Sequence, residues 1–85
     1  NSQIKDFPLT IKASLSNSEQ AKQVDLYGTK NGGTEFFIDS INPSGESLNF
    51  SWKEKPEPGS YQLFANIFDL KNKKYTSTKL RVVVQ

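Results

Sequence analysis

Apolar residues recur at every second position along most of this chain, and no stretch sustains the i, i+3, i+4, i+7 spacing of an amphipathic helix. Such alternation puts apolar side chains on one face of an extended strand and polar ones on the other, which restricts the chain to half-buried sheets packed face to face. A strand is predicted over Pro8 to Leu15, with Leu9, Ile11, Ala13 and Leu15 sharing the inner face behind Phe7, and Thr10, Lys12 and Ser14 outside. The polar stretch Ser16 to Lys22 breaks the pattern. A second strand follows from about Gln23 to Thr29, with Val24 and Leu26 inward and Asp25 and Tyr27 outward. Asn31-Gly32-Gly33 then reads as a turn, because Asn and Gly accept positive φ at little cost.

The strand predicted over Thr34 to Ile41 carries apolar residues on both faces, Phe36 and Ile38 on one and Phe37 and Ile41 on the other, which implies that each is partly covered. After the turn Asn42-Pro43-Ser44-Gly45, the stretch Ser47 to Lys53 alternates cleanly, with Leu48, Phe50 and Trp52 inward. Glu54 to Gly59 is a stiff connection, since Pro56 and Pro58 lack the N–H that a central strand needs. From Ser60 to Asp69, Tyr61, Leu63, Ala65 and Ile67 point one way and Phe64 and Phe68 the other. A hairpin loop from Asp69 to Lys74 leads to the last strand, Tyr75 to Gln85, with Leu80, Val82 and Val84 toward the core. A short leading strand near Gln3 to Lys5 brings the count to about seven, and turns about 8–12 residues apart suit an all-β antiparallel sandwich.

At 85 residues the chain has room for a single domain and a single core. Only 34% of its residues are apolar, but six Phe, three Tyr and one Trp are among them, and each buried ring removes roughly 150–250 Å² from water. A net charge of +2, with the basic residues scattered, argues against nucleic acid as a partner. Lys71, Lys73, Lys74 and Lys79 are the densest basic group, read as a solvated turn that discourages edge pairing, with an anion or acidic-glycan contact as the alternative. No apolar run reaches the roughly 20 residues of a membrane span and no signal-peptide pattern opens the chain, so membrane insertion by this segment is not expected. Beginning abruptly at Asn1 and ending inside a strand pattern at Gln85, residues 1–85 are expected to be one module excised from a larger protein.

Several pieces in order carry a resemblance: Val24-Asp25-Leu26-Tyr27, Asn31-Gly32-Gly33, Phe50-Ser51-Trp52, Pro58-Gly59-Ser60-Tyr61, and Asp69 with Asn72. Over roughly the last 60 residues this order resembles the immunoglobulin-like modules of bacterial secreted and surface proteins, with a fibronectin type III-like relative as the neighbouring assignment. Glu57-x-Gly59-x-Tyr61-x-Leu63 is similar to the tyrosine corner of such domains, in which a Tyr opening the penultimate strand bonds back to backbone a few residues upstream. Leu63 stands where antibody domains place a Cys, and Trp52 lies on the strand before the corner, so the resemblance implies a cysteine-free relative. Its implied fold is an immunoglobulin-like antiparallel β-sandwich, with Trp52, Gly59 and Tyr61 as structural residues.

With neither His nor Cys, the chain lacks the commonest general base, the commonest metal ligand and the thiol nucleophile. Asp25 and Asp39 on neighbouring strands, or Glu35 on the facing side, are the carboxylates that a glycoside mechanism would have to pair across a cleft. Asp69 and Asn72 offer oxygens to a calcium ion, but they share a loop with three lysines. The expectation is therefore no catalytic residue, no metal and no cofactor. Asn49-Phe50-Ser51 matches the N-glycosylation acceptor pattern, which matters only in a eukaryotic secretory protein.

Tyr27, Phe37, Phe64 and Phe68 fall on the predicted outer faces and are the candidate binding residues, since exposed rings stack on sugars or seat an apolar partner. Packing under a loop or against a neighbouring domain is the competing reading. The functional expectation is a noncatalytic accessory or spacer module of a larger extracellular, periplasmic or surface protein, partnered by neighbouring domains or another protein. The alternative is a polysaccharide- or protein-binding module that uses the outer-face aromatics.

Overall fold

A computed structural model describes residues 2–4, 6–16 and 18–85, apart from the side chains of residues 2–4 and 18. The strands are β1 (Ser2–Ile4), β2 (Leu9–Ser14), β3 (Ala21–Lys30), β4 (Glu35–Ile41), β5 (Ser47–Trp52), β6 (Gly59–Asp69), β7 (Lys74–Thr76) and β8 (Leu80–Val84), with one 3₁₀ turn over Ser18–Gln20. They form the expected all-β sandwich. The larger sheet runs β1-β8-β6-β3-β4 with β7 also on β6, and the smaller one is the pair β2-β5. β7 and β8 are the last predicted strand interrupted at residues 77–79, so the predicted count of about seven stands. The leading strand pairs parallel to β8, the one departure from antiparallel order among the described residues, and its predicted last residue, Lys5, lies outside them.

The core is where alternation placed it. Val24, Leu26, Leu48, Phe50, Trp52, Tyr61, Leu63, Val82 and Val84 form one buried cluster between the sheets. Its centre is aromatic. The Trp52 ring, from the small sheet, meets Tyr61 edge-on at 5.8 Å, Phe36 at 6.2 Å and Phe7 at 5.3 Å. Edge-to-face pairs at such distances add stabilisation beyond the area they bury. The Tyr61 hydroxyl leaves this apolar centre to donate a 2.6 Å bond to the Glu57 carbonyl, so the one polar atom of the ring is satisfied. The chain turns between those residues at Gly59, whose φ of 153° and lack of a Cβ let the Lys30 side chain pass within 2.9 Å of where a Cβ would stand.

Three sequence-level placements are corrected. On β4, Ile41 does not lie opposite Phe36 across the sheet. The β3–β4 register shifts between Leu26 and Tyr27, leaving Ile38 as an extra residue, and strict alternation fails there. Phe36, Ile38 and Ile41 therefore all pack on the core, while Phe37 alone faces out. Phe36 reaches inward over Gly28, where an added Cβ would lie 2.9 Å from its ring. Leu80 is the second correction. It keeps the inward parity of Val82 and Val84 but is 55% exposed, because no strand of the small sheet lies across it. Ala13, also expected on the core face, is exposed for the same reason, since β2 is the outer strand of a sheet of two.

Replacing Trp52 with Ala should cost about 3–5 kcal/mol in urea unfolding, the range for large buried aromatics. Tyr61→Phe should cost about 1 kcal/mol, the net value of one hydrogen bond. Equal losses for the two variants would contradict the division of labour described above.

Candidate functional site

Strand pairing puts Phe37, Tyr27 and Phe64 side by side across β4, β3 and β6 on the outer face of the large sheet. The Tyr27 ring stacks on Phe64 with centroids 5.8 Å apart and planes 19° off parallel, and it meets Phe37 edge-on at 5.8 Å. Exposure falls steeply along this row. Phe37 is 58% exposed, Tyr27 is half-buried, and Phe64 is only 5% exposed. Phe64 thus faces outward as predicted without being a surface residue.

Its cover comes from the interruption between β7 and β8. Ser77 donates its N–H to the Ala65 carbonyl at 2.8 Å while its hydroxyl oxygen accepts the Ala65 N–H at 2.8 Å, which pins the excursion to β6. Lys79 then lays its ammonium 5.8 Å from the Phe64 ring centroid, within cation–π range. Phe68 stands apart from the row. It pairs with Gln23 and Lys74, and Asn66 lies between it and Phe64 on the same face. The four candidate aromatics are therefore a cluster of three and a separate, half-buried fourth.

Asp25, Asp39 and Asp69 are engaged by the fold. Asp25, 8% exposed on the outer face, accepts 2.8 Å and 2.6 Å bonds from the Gln23 amide and the Ser40 hydroxyl. A buried charge needs such partners. Asp39 pairs with Leu26, the inward residue next to Asp25, so the two carboxylates point to opposite sides of the sheet and do not share a cleft. Asp39 instead reaches the small sheet: its Oδ2 accepts the Ser51 N–H at 2.7 Å and its Oδ1 the Ser40 N–H at 2.9 Å. This stitch between sheets was missed in the sequence because the β4 irregularity reverses the parity of everything after Ile38. Glu35 is exposed at the start of β4.

In the β6–β7 loop, Asp69 Oδ1 accepts the backbone N–H groups of Lys71 and Lys73, each at 2.8 Å, and Asn72 accepts a bond from the Lys22 ammonium. The Asp69 oxygen thus serves the turn, while that of Asn72, whose φ is 66°, ties the loop to β3. The Lys73 N–H chiefly holds the Asp69 carboxyl below its ordinary pKa, against some desolvation, with the Lys71 N–H and the two lysine charges adding. Among the described residues, no three His, Cys, Asp or Glu side chains gather as a metal site. Asn49 is exposed on β5. Thr29, beside Tyr27 on the outer face, has a buried hydroxyl without a partner.

No family model matches the chain, and no curated protein sequence matches it.

Because the Asp69 pKa is depressed in the folded state, its contribution to stability is present above about pH 4, the unfolded carboxylate range, and is lost as pH falls through the folded value. Asp69→Asn should therefore flatten that part of the stability–pH curve measured by thermal unfolding. Thr29→Val keeps the shape and removes an unpaired buried hydroxyl, so it should leave stability unchanged or raise it by up to about 1 kcal/mol.

Proposed function

We propose that this chain is a noncatalytic immunoglobulin-like accessory module that spaces, orients or engages neighbouring parts of a larger secreted or surface protein. The observation that carries this reading is the corner built by Gly59 and Tyr61, with its 2.6 Å bond to the Glu57 carbonyl, set in a two-sheet sandwich. That is the device by which immunoglobulin-like domains lock the start of their penultimate strand. The engagement of Asp25, Asp39 and Asp69 in hydrogen bonds to neighbouring groups supports a structural and not a chemical use of the carboxylates. Carboxylates that run glycoside chemistry must instead face one another across open space.

The steep loss of exposure along Phe37, Tyr27 and Phe64 favours the spacer reading over a polysaccharide platform. A sugar-stacking surface needs rings that are open and share a plane, whereas here Phe37 stands at 76° to Tyr27 and Phe64 is covered. The three rings shield the middle of the large sheet from water. Titrating the isotope-labelled chain with soluble oligosaccharides, while following the amides of Tyr27, Phe37 and Phe64, tests this directly. No saturable shift at sugar concentrations of about 10 mM, weaker than ordinary specific binding, is expected. Saturable shifts confined to that row would replace the spacer reading with a carbohydrate-binding one.

A further inference from the structure

We infer that the open flank between β2 and β8 is a docking slot for one extended strand of another protein, apolar at alternate positions and acidic between them. The slot follows from a mismatch of widths. Each strand widens a sheet by about 4.8 Å, and the small sheet holds two strands against the five-strand path of the large one. Inward-facing apolar residues on both walls are left open: Ala13 on β2 and Leu80 on β8, with Ile11 and Ile67 half-buried beside them.

Among the described residues, the β2 backbone beside this slot has no partner on that side. Leu15 donates its N–H to Glu46 at 2.8 Å, on the β5 side, so by alternation the N–H and C=O groups of Thr10, Lys12 and Ser14 point away from β5 toward the slot. The opposite edge of the small sheet is treated differently, for there Asp39 accepts the Ser51 N–H and blocks addition. An apolar ligand would leave the β2 edge groups unsatisfied, and a polar one would leave Ala13 and Leu80 in water. An extended chain of period two satisfies both, by β-strand addition.

Charge chooses its polar residues. Lys12 is the charged residue at the edge of the slot, exposed on the outer face of β2. Acidic residues on the outward face of the added strand form cross-strand pairs with Lys12, whereas basic ones are repelled. A second copy of this chain is a poorer occupant, since its own β2 presents Lys12 at that edge and keeps Leu9 and Ile11 packed on its own core. The lining of the slot meets the aromatic row at Phe64 but not at Tyr27 or Phe37, and the slot serves a spacer or a binder alike, so it does not depend on the reading proposed above.

The probe is an eight-residue capped peptide alternating valine and glutamate, with the same residues arranged in two blocks as control. Titrated into the labelled chain, the alternating peptide should give saturable amide shifts at Thr10, Lys12, Ser14 and Leu80, with Kd below about 1 mM. Leu80→Glu, at a site already 55% exposed, should retain the fold and weaken binding about tenfold or more. Lys12→Pro should do the same by removing one outward N–H, checked by an unchanged melting transition. The proposal is overturned by no saturable binding, by equal binding of the block peptide, by shifts centred on Phe37 and Tyr27, by full affinity in Leu80→Glu, or by dimerisation of the free chain that protects the β2 edge.

Discussion

The fold depends on the contact of Trp52 with Tyr61, Phe36 and Phe7. The small sheet has only one internal ladder, the β2–β5 pairing, and two strands cannot bury enough surface to stand alone in water. Trp52 carries that sheet to the large one by placing its ring among three others, two of them from β4 and β6. The Asp39 bond to Ser51 adds a polar tie on the same side. Both features anchor β5. β2 is then held chiefly through β5 and through Ile11, Leu9 and Leu15, which are only partly buried.

That asymmetry sets what each surface can do. On the outer face of the large sheet, the stacked pair Tyr27 and Phe64, closed by Lys79, is a shield, and the neighbouring Asp25, Ser40 and Gln23 spend their polar groups on one another. The β2 flank is the reverse. Among the described residues, the outward backbone groups of Thr10, Lys12 and Ser14 have no partner there, and Ala13 beside them is exposed.

How far the chain could be read in advance depended on whether alternation ran unbroken. Leu48, Phe50 and Trp52 on β5, and Tyr61 and Leu63 on β6, lie in strands without irregularity, and their burial follows from parity alone. Gly59 and Tyr61 were legible as a corner because glycine and an aromatic at that spacing have a local purpose. Ile41 and Asp39 were not, because the extra residue at Ile38 leaves no composition signal: Phe-Phe-Ile reads equally well in either register. Parity also says which way Phe64 and Leu80 point, but not what lies over them. Phe64 is covered by an excursion of a later strand, and Leu80 is uncovered because the facing sheet is narrow, and both facts belong to the tertiary arrangement.

β2 is paired on one side, with β5, and open on the other. Amide hydrogen exchange along this strand measures it residue by residue, because exchange reports whether each N–H is held. Strong protection is expected at Ile11 and Ala13, whose N–H groups face β5, and rapid exchange at Thr10, Lys12 and Ser14. Uniform protection along Thr10 to Ser14 in the monomer would mean that the edge is already covered, and would contradict both the two-stranded sheet and the slot beside it.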